Sequence, residues 1–376
     1  MDSNKAPITN KHSSRYALSI LFCFSFSPIT ARPDQQAIVL LHGLNKGSSD
    51  LKTMKQSLEK AFPYATIIAL ESVAKDPNKS SLITPAPSVA LPIRKQAHLA
   101  YKEIKAKVGK DKQLVLVGHS QGGLVAFAMA KTYGQTLNRE QQICIKQLIT
   151  IATPWKGAPV MQHLYNKRKT RATLETLTPI LHKIKQGLHK DITQRTIKIP
   201  KIIKSLLQNF PFLYDYLVST LLYCRMLGIA DLKPTSDFIQ NYVAKGLKDF
   251  NIPIKAMAGV LVDFSHMFDP FPAYITKAEL EQLNATYGTL IGGSPTCEHD
   301  MLLPVDTQHA IGLLTRDFEC IKIVGTCHGN TLGLPVKEGM AIIPVKTGIA
   351  ELKHEGVTNQ VIQLIQETFY QKNNNI

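Results

Sequence analysis

The sequence has few cysteines, and their spacing narrows the kinds of site it can build. Its six cysteines include no CxxC pair, which argues against the zinc and redox centres that use this spacing. Loss of Cys23 with the leader described below leaves five, so a complete disulfide framework is excluded. One disulfide bond remains possible, because three cysteines lie close together in sequence: Cys297, Cys320 and Cys327.

The chain also lacks a module for nucleic acid, although its net charge is +16 and its pI is near 9.5. Excess lysine and arginine can serve nucleic acid, an anionic membrane surface or solubility. Neither zinc-finger spacing nor an RNP-like aromatic strand is present, so nucleic acid is discounted as a partner. Nothing in the pattern specifies an oligomeric state.

No hydrophobic run reaches the about 20 residues that a membrane-spanning helix needs. The most apolar stretch, residues 16–31, follows a polar start that contains Lys5, Lys11 and Arg15. A basic region, a short apolar region and a small residue follow one another in secretory signals. We therefore predict a signal peptide at residues 1–31 and an exported protein, periplasmic or secreted. The alternative interpretation is a disordered start followed by a first buried strand.

Strands alternate with helices through much of the 376 residues, of which 44% are apolar. Continuous apolar runs at 37–41 and 114–117 predict strands buried on both faces. Such alternation predicts an α/β fold with a parallel sheet. Further strands are expected at 65–70, 145–151, 252–261, 287–292 and 320–325, with a strand-like segment at 340–352 and a last helix at 357–369. Residues 161–249 interrupt the alternation with a helical, basic pattern, so the core is expected to comprise 32–160 and 250–376.

The strongest chemical signal is GHSQGG, with Ser120 at its centre. The motif follows one predicted strand directly and precedes a predicted helix. A serine at such a turn is held in a strained conformation that lifts its hydroxyl above the sheet edge, and the flanking glycines avoid collisions. The positive end of the helix points at the place where negative charge develops in acyl transfer. The motif predicts a nucleophilic serine; a glycine-rich structural turn is the alternative.

A second motif, His42-Gly43-Leu44, ends the first predicted strand. A tetrahedral intermediate needs two aligned donors for its oxyanion. The backbone N–H groups of Gln121, directly after the serine, and of Leu44 are the candidates. By itself, the His-Gly pair is equally typical of an ordinary strand-ending turn.

The acid and the base of a Ser-His-Asp system are the next pieces to find. Asp300 follows the predicted strand at 287–292 and precedes apolar residues and a proline, which favours it as the acid. Asp306 is its rival and Glu298 a weaker one. Two histidines could serve as base, and both stay open. His354 is favoured because it directly precedes the last helix, whereas His328 follows the strand at 320–325.

With these pieces placed, the chain resembles lipases of the α/β-hydrolase superfamily and also palmitoyl-protein thioesterases. The resemblance covers most of the chain outside the leader and the insertion. It is carried by LHGL, GHSQGG, ATPWKG and DMLLPVDTQ, and by residues 234–261, which are similar to the region before the acid in inositol-deacylase-like lipases. The thioesterases place their histidine far beyond the acid, which supports His354, whereas the strand before His328 fits ordinary lipases better. The insertion is longer and more basic than in those thioesterases.

The resemblance implies that residues 161–249 form a cap over the active site. Lysines and arginines alternate there with Leu, Ile and Phe at helix-like spacing. One interpretation is a lid that rests on an anionic lipid surface, which implies acyl-chain esters as substrates. The other is a packed helical cap with a solvated basic face.

These features together predict a serine hydrolase that cleaves acyl-chain esters through an acyl-enzyme, without cofactor or metal. Two other functions remain open. A thioesterase acting on acylated proteins or acyl-CoA would use the same residues. An inactive hydrolase-fold protein would instead bind membranes or a partner through the basic insertion.

Overall fold

A computed structural model of the chain describes residues 35–44, 46–74, 86–109, 111–136, 140, 142–160, 226–267, 273, 275–313, 318–329, 331–332, 343–344 and 346–370. The predicted signal peptide at 1–31 and the predicted insertion up to residue 225 lie outside these residues. Within the described part, no helix combines the length and the hydropathy that crossing a membrane requires.

A parallel sheet of six strands forms the centre of the described chain, in the order β2-β1-β3-β4-β5-β6. Its strands are β1 (Gln36–Leu41), β2 (Thr66–Ala69), β3 (Gln113–His119), β4 (Cys144–Ile151), β5 (Ile254–Val260) and β6 (Phe318–Val324). A separate antiparallel pair joins β7 (Thr331–Leu332) to β8 (Ile343–Pro344). Because all six main strands run in one direction, their carboxyl ends lie along a single edge, where loops can bring distant residues together.

Helices connect these strands and cover the sheet. In chain order they are α1 (Lys52–Ala61), α2 (Pro87–Ala90), α3 (Ile93–Lys107), α4 (Gln121–Met129), α5 (Leu227–Ala230), α6 (Ala244–Gly246), α7 (Lys277–Gly292), α8 (Val305–Gln308) and α9 (Glu355–Tyr370). Short 3-10 segments occupy Ser48–Leu51, Phe264–Met267 and Thr347–Ile349, and π-helical turns occupy Ala130–Gly134 and Phe238–Val243.

Alternate residues of the central strands enter two different cores. Val39 of β1 faces a cluster that includes side chains of α3 and α4, whereas Ile38 and Leu40 face a cluster built with α1 and α9. All three side chains are 0% exposed. Burying one aliphatic side chain of this kind contributes about 1.5–3 kcal/mol. The continuous apolar runs of the sequence are therefore explained by a sheet covered on both faces, as predicted.

The last part of the predicted insertion, residues 226–249, packs into the main core. Phe238, Ile239, Val243 and Leu247 are buried in the same cluster as Phe127 of α4. These residues therefore pack in the same core as helices α3 and α4.

The prediction of a strand at 287–292 is wrong, because these residues complete helix α7. Thr276 and Glu279 form a capping box at its start: Glu279 N–H donates to Thr276 Oγ1 at 3.2 Å, and Thr276 N–H donates to Glu279 Oε2 at 3.0 Å. The helix continues until Gly293, whose φ of 80° ends it in the left-handed region. Nucleation at the capping box outweighs the strand-like pattern of the last six residues.

The cysteines of the described part are free thiols. Cys144 and Cys320 are exposed, Cys297 is half-buried and Cys327 is buried. The bridge that the spacing of Cys297, Cys320 and Cys327 left open is therefore not formed.

Candidate active site

Ser120 occupies the sharp turn between β3 and α4, as the motif predicts. Its backbone has φ 54° and ψ −128°, which are strained values for a residue with a side chain. The turn fits because the residues two positions away on either side, Gly118 and Gly122, have no side chain. A Cβ on Gly118 would lie 2.5 Å from Gly123 Cα, and one on Gly122 would lie 2.5 Å from the Leu41 carbonyl oxygen. The local sequence therefore permits α4 to pack against β1 and β3 at the distance that this turn imposes.

The imidazole of His328 lies between Ser120 and Asp300. Its Nε2 is 2.9 Å from Ser120 Oγ, and its Nδ1 is 2.8 Å from Asp300 Oδ2. The carboxylate accepts the proton of Nδ1–H, which leaves the lone pair of Nε2 available to the serine hydroxyl. The three side chains come from the end of β3, the loop after α7 and the loop after β6, all of which meet at the carboxyl edge of the sheet.

Both side-chain oxygens of Asp300 accept hydrogen bonds. It is 0% exposed, and its Oδ1 accepts backbone N–H groups of Leu302 at 2.8 Å and Leu303 at 2.7 Å. Its own carbonyl accepts the His328 N–H at 2.8 Å. The side-chain pair is thus accompanied by a main-chain hydrogen bond between the same two residues, which fixes their separation.

The preference for His354 as the base is corrected by this geometry. His354 begins the turn into α9, where its N–H donates to the Ala350 carbonyl at 2.8 Å, and its buried Nδ1 has no hydrogen-bond partner within the described residues. His354 was favoured because it directly precedes the last helix. Within the described residues, however, β6 is the last strand of the main sheet, and β8 pairs with β7. His328 therefore occupies the position that was assigned to His354.

The two rival acids are occupied elsewhere. Asp306 is half exposed and pairs with Lys156 at 2.9 Å, while Glu298 is half exposed and pairs with Lys322 at 2.6 Å. Asp300 is the candidate acid that contacts a candidate base.

The end of β1 lies against Ser120. A Cβ on Gly43 would be 2.9 Å from Ser120 Cβ, so this approach requires glycine. Gln121 opens α4 directly after Ser120, and its N–H belongs to the first turn, which lacks intrahelical acceptors. The Gln121 side chain instead secures the surroundings, donating to the carbonyls of Ser88 at 3.1 Å and Gly228 at 3.0 Å. The oxyanion roles of Leu44 and Gln121 remain predictions.

A second buried pair, Glu351 and His119, lies next to His328. The sequence patterns do not reveal this pair. Glu351 is 1% exposed, and its Oε2 is 3.0 Å from Nε2 of His119 and 3.8 Å from Nδ1 of His328. Burial, reinforced by the charge of Asp300, raises the pKa of Glu351 well above its usual value. Burial, with a smaller contribution from the charge of His328, lowers the pKa of His119 well below its usual value. His119 could be expected beside the serine, but Glu351 carries no local sequence signal.

Three of these groups could also be considered as metal ligands. His119, His328 and Glu351 offer ligand atoms within 4.8 Å of one another. The His119 and Glu351 atoms are already joined by a 3.0 Å hydrogen bond, and Nδ1 of His328 is held by Asp300 at 2.8 Å. The arrangement is therefore that of a proton-sharing network.

The six-stranded parallel sheet, with a strained serine turn at its carboxyl edge, has the architecture of the α/β-hydrolase fold. The family model of palmitoyl protein thioesterases matches residues 37–211. This match includes Ser120 and ends before Asp300 and His328. No curated protein matches the chain significantly.

Solved structures that are similar to the chain include two lipolytic enzymes and an esterase. Phospholipase PlaB from Legionella pneumophila is 10% identical with a TM-score of 0.49, covering 90% of this chain and 59% of that protein. Lipase 1 from Pelosinus fermentans is 12% identical with a TM-score of 0.44, covering 88% and 99%. A thermostable carboxyl esterase from Bacillus coagulans is 12% identical with a TM-score of 0.40, covering 90% and 92%.

Proposed function

We propose that the chain hydrolyses carboxylic esters of acyl chains through a Ser-His-Asp triad of Ser120, His328 and Asp300. The observation that carries the proposal is the continuous row of hydrogen bonds, 2.9 Å from Ser120 Oγ to His328 Nε2 and 2.8 Å from His328 Nδ1 to Asp300 Oδ2. Both distances lie within the range that a nucleophile and its base require for proton transfer.

The reaction follows from this row in two halves. Ser120 Oγ attacks the acyl carbonyl carbon while its proton passes to His328 Nε2, and the buried Asp300 carboxylate stabilises the resulting imidazolium. The N–H groups of Gln121 and Leu44 are proposed to bind the oxyanion. His328 then returns the proton to the leaving alcohol, and water releases the acyl group by the same steps in reverse order. No cofactor takes part in this scheme.

An acyl thioester is the second candidate substrate, and the thioesterase family match over residues 37–211 favours it. The chemistry at Ser120 would be the same, but a thiol has a pKa of about 8.5 and leaves as thiolate more readily than an alcohol leaves as alkoxide. A thioester therefore depends less on proton return by His328. The acyl chain is the part that both substrates share, which is consistent with a lipid or lipidated substrate.

We also propose that the basic segment 161–225 is a cap that contacts an anionic lipid surface. The leader at 1–31 is proposed to be a signal for export. Both rest on sequence pattern alone. Association of the purified chain with vesicles that contain anionic lipid, and its release by salt, would test the first; the mature N-terminus of the expressed protein would test the second.

Labelling with a fluorophosphonate probe tests the nucleophile. The wild type should be labelled and should hydrolyse 4-nitrophenyl octanoate, whereas Ser120→Ala should do neither. Comparison of octanoate oxygen esters with octanoyl-CoA then separates esterase from thioesterase by their kcat/KM ratio. An unlabelled wild type with no turnover of either substrate, together with binding to anionic vesicles, would favour the inactive binding protein and reject the enzymatic proposal.

A further inference from the structure

Asp300 and Glu351 are two carboxyl groups buried side by side. Both side chains are 0% exposed, and both face Nδ1 of His328, Asp300 through Oδ2 at 2.8 Å and Glu351 through Oε2 at 3.8 Å. Two desolvated carboxylate anions that share one neighbour in this way would repel each other strongly. One of the two groups therefore holds a proton in the resting state.

The hydrogen-bond partners indicate that Glu351 is the protonated one. Asp300 accepts three donors, the N–H groups of Leu302 and Leu303 and the Nδ1–H of His328. Within the described part of the chain, the side chain of Glu351 has a hydrogen bond with His119, and its Oε1 has no partner. Donors stabilise the charged form of a carboxyl group, so the negative charge resides on Asp300.

Among the residues that the structure describes, the ion-pair partners of Glu351 are two histidines, His119 and His328. The titratable groups that face it are His119 at the end of β3, Asp300 in the loop after α7, and Cys327 and His328 in the loop after β6. From β5, Gly259 leaves the space that the carboxyl group fills, since a Cβ there would lie 2.1 Å from Glu351 Oε1. His119 is buried, and its Nε2 lies within hydrogen-bond distance of Glu351 Oε2, at 3.0 Å.

We propose that Glu351 is a positioning residue that acts as a neutral carboxylic acid, donating a hydrogen bond to Asp300 and accepting one from His119. It thereby connects the loop that carries the acid to the residue that precedes the nucleophile. When His328 becomes an imidazolium during the reaction, Asp300 remains its single counter-charge. The inference rests on the proposed function of Ser120, His328 and Asp300.

Glutamine at position 351 is the informative substitution, because it has the shape and the donor of a protonated glutamate. We expect Glu351→Gln to keep kcat on 4-nitrophenyl octanoate within about threefold of wild type. Glu351→Ala should lose about 10- to 100-fold, by analogy with removal of the outer hydrogen-bond partner of a metal-bound histidine. KM should change little in either variant, because no contact with substrate is removed. Exposed Glu355 supplies the matched control, and Glu355→Gln should behave as wild type.

The pH profile distinguishes a neutral from an ionised Glu351. If Glu351 were ionised, its replacement by glutamine would remove a negative charge 3.8 Å from His328 Nδ1, and the acid limb of kcat/KM would move to lower pH. A neutral acid exerts no such effect. We therefore expect the acid limb of Glu351→Gln to coincide with that of wild type, and a downward shift would overturn the proposal.

Thermal stability supplies a second, independent readout. An acid with a raised folded-state pKa contributes stability that is fully present below its unfolded pKa and is lost as pH rises through the folded value. Glutamine has no such proton to lose. The Tm of Glu351→Gln relative to wild type should therefore increase between pH 4 and pH 8, and a relative decrease would indicate an ionised Glu351.

Two further results separate the possible failures. Should the variants not fold, the infrared spectrum of the wild type at pH 7 must still contain the band of a protonated carboxyl group, and its absence overturns the inference. If Ser120→Ala retains turnover, the proposed function itself fails. If Ser120→Ala is inactive but the acid limb of Glu351→Gln is displaced, the triad stands and only the role of Glu351 is rejected.

Discussion

Replacement of Asp300 by asparagine should reverse the tautomer of His328. In the wild type, Oδ1 accepts the N–H groups of Leu302 and Leu303 at 2.8 and 2.7 Å, while Oδ2 accepts Nδ1–H at 2.8 Å. Asparagine has only one oxygen. If that oxygen serves the two backbone donors, the NH₂ group faces Nδ1, and the imidazole proton must move to Nε2. His328 then has no lone pair directed at Ser120.

The size of the effect follows from the alternative orientation of the amide. Turning the oxygen toward His328 places the NH₂ group against two buried backbone donors, and each unsatisfied donor costs about 1–3 kcal/mol. The unproductive orientation is therefore favoured by about 2–6 kcal/mol. Since about 1.4 kcal/mol corresponds to tenfold in rate, kcat should fall by roughly 30-fold to 20,000-fold.

The measurement is kcat on 4-nitrophenyl octanoate at pH 8, with circular dichroism to check that the variant is folded. Asp306→Asn is the matched control, because Asp306 was the rival acid and forms a half-exposed pair with Lys156. Loss of such a surface pair costs about 1 kcal/mol of stability or less, and kcat should stay within about twofold. A folded Asp300→Asn variant with nearly normal kcat, or an equal loss in Asp306→Asn, would refute the role assigned to Asp300.

Three further outcomes are expected. In the same ester assay, His328→Ala should lose about 10²–10⁴-fold in kcat, whereas His354→Ala should retain most of it; the opposite ranking would restore His354 as the base. Gly122→Ala should lower the Tm by about 3–10 °C, because the new Cβ would lie 2.5 Å from a backbone oxygen, while Gly348→Ala, with nothing within 4 Å, should not. Burial raises the pKa of the Cys327 thiol to about 12. Iodoacetamide at pH 8 should therefore modify exposed Cys144 in the native protein and leave Cys327 unmodified until the protein is unfolded. Peptide mapping that finds Cys327 labelled first would contradict this.

The parts of the fold that local sequence determines were predictable. Buried strands and the Ser120 turn are encoded in short runs, since apolar continuity and the spacing of glycines act on neighbouring residues. The helix α7 was missed in its last turns because its pattern resembles a strand there, while the signal that decides the matter is a capping box more than ten residues earlier, at Thr276 and Glu279.

The choice of base depended on information that a linear pattern does not contain. Both His328 and His354 follow a strand-like segment, and only the pairing of strands reveals that β6 closes the main sheet. Glu351 was not predictable for a related reason. Its partners, His119 and Asp300, are distant in sequence, and a single glutamate before a helix is ordinary unless its burial is known.

The main-chain bonds around the base have a consequence for tolerance to change. His328 N–H is bound by the carbonyl of Asp300, and the carbonyl of Cys327 accepts Glu351 N–H at 2.9 Å. Every residue except proline has a backbone N–H, and every residue has a carbonyl, so these two bonds do not depend on the side chains that surround them. Substitutions by residues other than proline at the neighbouring exposed positions should therefore leave the backbone that holds the His328 ring in place.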